Sequence, residues 1–83
     1  MSSKYFDSFV DQIHKFKTKE ELKEFLKTIL TPKELEQIPV RLEIVRQLKQ
    51  WIPQHKIAEN LKVGIATVTR WSKELKLNHF KNI

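Results

Sequence analysis

Apolar residues recur at three- and four-residue intervals almost from the start of the chain. Phe6, Phe9, Val10, Ile13 and Phe16 fall in one stripe over residues 3–17, the period of a helix with one apolar face, and Ser3 can cap its start. A second helix is predicted from Thr18. Thr18-Lys19-Glu20-Glu21 sets a hydroxyl three residues before a carboxylate, the spacing at which each can satisfy an unpaired N–H of the first turn. The buried face of this helix is predicted as Leu22, Phe25, Leu26 and Ile29. Thr31-Pro32-Lys33-Glu34 repeats the signature, with Pro at the first helical position, where its missing N–H removes no bond. Leu35 and Ile38 continue the third helix as far as Pro39, which is expected to stop or sharply bend it. A fourth helix restarts near Val40 and ends near Gln50, burying Leu42, Val45 and Leu48.

Pro53 then opens a segment under a tighter rule. Counting Gln54 as the first of eighteen residues, the fourth, eighth, tenth, fifteenth and eighteenth are Ile57, Leu61, Val63, Val68 and Trp71, and the fifth is the small Ala58. That is the burial pattern of a helix-turn-helix, placed here at about residues 53–76. Two short helices crossing at about 90–120° need apolar inner faces and a small residue at their closest approach. The outward residues of the second helix are Gly64, Ile65, Ala66, Thr67, Thr69, Arg70 and Lys73. They are small or polar with basic residues at one end, which suits a helix lying against DNA. No repeat, linker or low-complexity segment interrupts the pattern, so residues 1–83 read as a single all-α domain of about five to six helices.

Composition agrees with a helical fold: one Gly and three Pro, with Leu, Lys, Glu and Ile plentiful. There is no Cys, which excludes disulfide frameworks and thiolate metal sites. No apolar run approaches the roughly 18 residues of a membrane span. Met1-Ser2-Ser3-Lys4 lacks the apolar core of a signal peptide, so a soluble cytoplasmic protein without a membrane partner is expected. Net charge is +6, and its placement is uneven. Residues 53–83 carry +4 and residues 1–52 only +2, so the excess lies around the helix-turn-helix, where phosphates would supply the partner charge. A DNA partner would place the protein on the nucleoid. Catalysis finds no support. His14, His55 and His79 lie far apart without metal-ligand spacing, and one Gly cannot build a phosphate loop, so no catalytic and no metal residues are predicted.

The N-terminal stripes carry more apolar surface than a globule of this size hides. Four Phe lie within the first 25 residues, so a second copy is expected to cover them, and a homodimer suits paired half-sites in DNA.

Leu30-Thr31-Pro32, Arg41 with Ile44-Val45, then Gly64-Ile65-Ala66-Thr67-Val68-Thr69-Arg70 and Ser72, in this order and spacing, resemble the tryptophan repressor family over about residues 28–77. The Gly-Ile-Ala-Thr-x-Thr-Arg run is the most specific part. Residues 1–27 match only in helical character, and the stretch after Leu77 is shorter than the family's final helix. The resemblance implies an intertwined homodimer that binds operator DNA and represses transcription, switched on in the namesake by L-tryptophan. It implies base readout by Gly64, Ile65, Ala66 and Thr69, with His55 and Ala58 standing where the family has basic residues on the first helix. Ala58 has lost that contact. Water-mediated readout, known for the Trp repressor itself, is inherited with the resemblance. Lys56, Lys62, Arg70, Lys73 and Lys76 would grip phosphates, and Thr67 would join the DNA-facing surface.

At the implied co-repressor pocket the chain departs from the family. Arg41 and Arg70 match the arginines that sandwich the ligand's indole and hold its carboxylate, and Leu30, Thr31 and Thr67 match lining positions. Trp71, however, stands where the family has the Gly that leaves room for the ligand; Glu74 replaces a Ser near its amino group, and Thr28 a Leu. Either the Trp71 indole fills the ligand's space from within the chain, or Trp71 is simply core in a protein whose ligand pocket never formed; on both readings L-tryptophan is expected to be no co-repressor. The alternatives are an amino-acid-gated repressor, the DNA-targeting module of a transposase or recombinase, and a helical protein-interaction domain. Against the transposase module stands a chain with its own N-terminal helices and no appended catalytic region.

Overall fold

The computed structural model describes residues 3–83, and they form five helices: α1 Ser3–Lys15, α2 Lys19–Ile29, α3 Pro32–Lys49, α4 Gln54–Leu61 and α5 Ile65–Lys76. Ser3 lies inside α1 and does not cap it; what precedes Ser3 lies outside the described residues. The chain divides into two compact units, residues 1–35 and 36–83.

In the first unit the predicted caps form. The Glu21 N–H donates to the Thr18 hydroxyl at 3.2 Å at the head of α2. At the head of α3 the exchange is reciprocal: the Glu34 N–H donates to the Thr31 hydroxyl at 3.2 Å and the Thr31 N–H to the Glu34 carboxylate at 2.8 Å. The Thr31 backbone bond, followed by its hydroxyl, holds the Glu34 carboxyl below its ordinary value. Phe9, Phe16 and Phe25 join α1 to α2, with ring centroids 6.2 Å (Phe9–Phe25) and 5.1 Å (Phe16–Phe25) apart. Neither helix buries a residue. The predicted inward face of α2 is therefore corrected: Leu22, Phe25 and Leu26 are half-buried and Ile29 is exposed. Two helices have one contact line between them, and it cannot enclose a stripe of this width.

The predicted break at Pro39 does not occur. A single helix runs from Pro32 to Lys49 with Pro39 inside it. Pro39 is exposed, and the proline ring leaves only the Leu35 carbonyl without its helical donor. With the third and fourth helices joined, the buried set changes too. Ile44 and Val45 are buried, whereas Leu42 is exposed. Val40, Ile44 and Leu48 follow the i, i+4 row that packs into the second unit's core, and Ile38 and Leu42 form a second, open row. Helix α3 ends in an αL residue, Trp51 (φ 63°): the Trp51 N–H reaches the Leu48 carbonyl at 3.0 Å and the Ile52 N–H the Gln47 carbonyl at 3.2 Å. This is the double-bonded helix stop that usually employs Gly.

In the second unit, Ile44, Ile57 and Val68 are fully buried, and Ala58, Leu61, Val63 and Trp71 pack against them. Every apolar position of the eighteen-residue pattern thus lies in one core.

Candidate nucleic-acid interface

The turn between α4 and α5 is set by its backbone. Lys62 adopts the αL conformation (φ 55°, ψ 46°), and the Lys62 and Val63 N–H groups both bond the Ala58 carbonyl. Gly64 then caps α5 with ordinary extended angles (φ −69°, ψ 147°), and a Cβ built there would meet nothing within 4 Å. The fold itself does not need this glycine. Its open side is available to something outside the chain.

With Val68 buried and Trp71 turned inward, α5 presents its other side to solvent. Gly64, Ala66, Thr67, Arg70, Lys73 and Lys76 are exposed, and Ile65, a large aliphatic, is 50% exposed. Thr69 is half-buried on the same stripe, one turn from Ile65 and one from Lys73. On α4, His55 and Lys56 are exposed, while Ala58 is taken up by the core. Gln54, which sequence reasoning left out, is brought to Thr69: the Thr69 hydroxyl donates to the Gln54 side-chain carbonyl at 2.8 Å. The two residues are fifteen apart on different helices, and no periodic rule couples them.

Arg41, Arg70 and Trp71 are brought together as well. The Arg70 guanidinium carbon lies 4.9 Å from the Trp71 ring centroid and that of Arg41 5.8 Å, both within cation–π reach. The Phe80 ring meets the indole edge-on at 6.1 Å. Phe80 is held there by its own carbonyl, which accepts from Lys49 Nζ at 2.5 Å, and Lys49 also reaches the Ile83 carbonyl at 2.6 Å. Phe80 carried no sequence signal, because the chain beyond α5 has no helical period, and Lys49 at the end of α3 meets it across 31 residues. A groove of about 460 Å³ remains beside the indole, with Val40, Arg41, Ile44, Thr67, Arg70 and Trp71 in its wall. Glu74 is turned to His79 Nδ1 at 2.5 Å. Leu30 and Thr31 belong to the first unit, where they end α2 and cap α3.

Among the described residues, no helix is long and apolar enough to cross a membrane, and no three metal-ligating side chains cluster.

A family model described as Trp repressor protein matches residues 4–81. A Trp operon repressor homolog of Actinobacillus succinogenes is 35% identical over 74 residues, covering 88% of this chain and 73% of that protein. Homologs of the same name from Mannheimia succiniciproducens and Vibrio vulnificus are 47% and 49% identical over 55 and 53 residues, which is 65% and 63% of this chain. Those two matches span only about half of each relative's own length, 54% and 52%. No solved structure matches.

Proposed function

The chain belongs to the Trp repressor family, a family of regulators rather than enzymes, and we propose that it is a sequence-specific DNA-binding repressor of transcription. The observation that carries this reading is the division of α5. Its apolar positions close the helix-turn-helix core, and its small, polar and basic positions stay exposed. Gly64 supports it, since a glycine without an internal reason suits close approach of a DNA strand. Arg70, Lys73, Lys76 and Lys56 grip phosphates; Gly64, Ile65, Ala66, Thr67 and Thr69 face the groove, with His55 at its edge. Binding to random duplex DNA at low salt tests this. Replacing Arg70 and Lys73 by Ala flattens the salt dependence by about one unit of logarithmic slope per lost phosphate contact. Gly64→Ser keeps or raises stability, since Ser caps a helix better, but lowers DNA affinity. A wild-type protein that binds no duplex at low salt overturns the reading.

The repressor acts without tryptophan as co-repressor. Both guanidinium groups already have an indole within reach, and a free indole must displace it to take the same place. The resident ring has the advantage, because a side chain loses no translational freedom on binding. Calorimetry with L-tryptophan is expected to show no heat of binding, and a micromolar dissociation constant sinks the idea. A second reading, gating by some other small acid, is favoured by the groove left beside Arg41 and Arg70. A thermal-shift series over small carboxylates separates the two.

The active form is a homodimer. In the first unit Tyr5, Phe6, Val10 and Ile29 are 45–74% exposed, and Ile38 and Leu42 lie open on α3. Exposed apolar rows of this kind mark an interface in a soluble protein. Sedimentation equilibrium tests it, with a monomer at micromolar concentration as the contrary result.

A further inference from the structure

The contact between Gln54 and Thr69 restricts what the reading helix can ask of DNA. The Thr69 hydroxyl oxygen lies 2.8 Å from Gln54 Oε1 and 3.0 Å from the Ile65 carbonyl oxygen. A hydroxyl has one hydrogen and two lone pairs. Both neighbours are acceptors, so the hydrogen is committed inside the chain whichever of them takes it. Turning the Gln54 amide over does not change this: its NH₂ would donate to Thr69, and the hydrogen would pass to the Ile65 carbonyl. What Thr69 has left for a ligand is a lone pair.

That excludes direct contact with most of a DNA duplex. Phosphate oxygens, guanine N7 and O6, adenine N7 and thymine O4 all accept, and none can pair with a lone pair. In the major groove the donors are the exocyclic amino groups, adenine N6 and cytosine N4. Resting on the DNA-binding reading above, we infer that Thr69 accepts from a base amino group, and that Gln54 is the positioning residue that holds the hydroxyl in this orientation. Helical Thr ordinarily divides between two rotamers, one of which returns its hydroxyl to the carbonyl four residues back. Gln54, on the neighbouring helix, adds a second acceptor on that same side and so holds the rotamer.

The test begins with duplexes selected by the wild-type protein from a randomised pool. Each adenine of the selected half-site is replaced in turn by purine, and each cytosine by pyrimidin-2-one, which removes only the amino group. These changes alter the DNA alone, so this arm is independent of any variant's folding. At one base per half-site the wild type is expected to lose roughly two- to tenfold in affinity, the range of a single hydrogen bond. Whether purine or pyrimidinone does so distinguishes adenine from cytosine. Thr69→Val, a near-isostere, loses all sensitivity at that base. Gln54→Leu reduces it, and Gln54→Glu, which keeps the acceptor, retains it. Arg70→Ala serves as the contrast, weakening every duplex alike.

Sensitivity at no adenine or cytosine, or sensitivity unchanged in Thr69→Val, overturns the inference while leaving DNA binding intact. Sensitivity unchanged in Gln54→Leu overturns the part assigned to Gln54. Failure of the wild type to bind any duplex overturns the DNA-binding reading and this inference with it.

Discussion

The two compact units are built from the same kind of amphipathic helix but reach opposite outcomes. Residues 36–83 enclose Ile44, Ile57 and Val68 completely, whereas α1 and α2 bury nothing despite their phenylalanines. Three helices meeting at steep angles can surround a side chain. Two helices side by side meet along a line, and the rest of each stripe stays in water. Amphipathicity therefore says that a face wants cover, not whether the same chain provides it.

Core substitutions in the second unit give the largest test of that contrast. Ile57→Ala is expected to destabilise by about 2–5 kcal/mol in urea melts, through lost transfer energy and a residual cavity. Phe6→Ser, on the open stripe (Phe6 is 60% exposed), is expected to leave the dilute protein's stability within about 0.5 kcal/mol. Its effect falls on self-association, which weakens. Equal destabilisation by the two, independent of protein concentration, would remove the distinction between the units.

Trp71 comes next. It is half-buried, so Trp71→Ala is expected to cost about 2–3 kcal/mol, less than the roughly 3–5 of a fully buried aromatic. Urea melts of the second unit's transition measure it; a change below 0.5 kcal/mol, the scale of an ordinary surface substitution, means the indole adds nothing to the core.

A smaller effect has the opposite sign. Trp51 holds an αL backbone (φ 63°) with its side chain 91% exposed, so it has strain without packing to offset it. Trp51→Gly is expected to stabilise by about 1 kcal/mol, the conformational penalty of a non-glycine residue there. A destabilised Trp51→Gly would show that the ring is covered in solution by something beyond the single chain.

The smallest effect belongs to the first unit. Thr31 holds the Glu34 carboxyl below its ordinary value of 4.5, so the unfolded state binds that proton more readily. The contribution is complete above pH 4.5 and is lost as pH falls through the depressed folded value. Glu34→Gln should flatten the acid limb of a stability profile slightly, by lowering stability a little at neutral pH and leaving it unchanged below the depressed folded value. An unaltered acid limb would show that this cap is idle.

Much of this was legible in the residues. The two capping boxes and the apolar positions from Ile57 to Trp71 depend on local spacing, which a one-dimensional pattern records. The reading went wrong at Pro39 and at Leu42. Proline removes one hydrogen bond and crowds one turn, and the remaining bonds of α3 carry the helix through it. Leu42 was assigned by period alone, and α3 carries two apolar rows of which only Val40, Ile44 and Leu48 meet the second unit's core. The candidate site divides the same way. Sequence spacing marked the outward residues of α5, but Gln54 beside Thr69 and Phe80 against Trp71 are meetings across the fold.

By itself, then, the sequence determined the helices apart from the continuity of α3 through Pro39, the caps at Thr18 and Thr31, and the helix-turn-helix core, because each follows from spacing along a single chain of known period. Only the tertiary structure decided which apolar row is enclosed, which hydroxyl has spent its hydrogen, and which ring meets the indole edge-on. Those outcomes depend on distances between residues far apart in sequence, and packing alone fixes such distances.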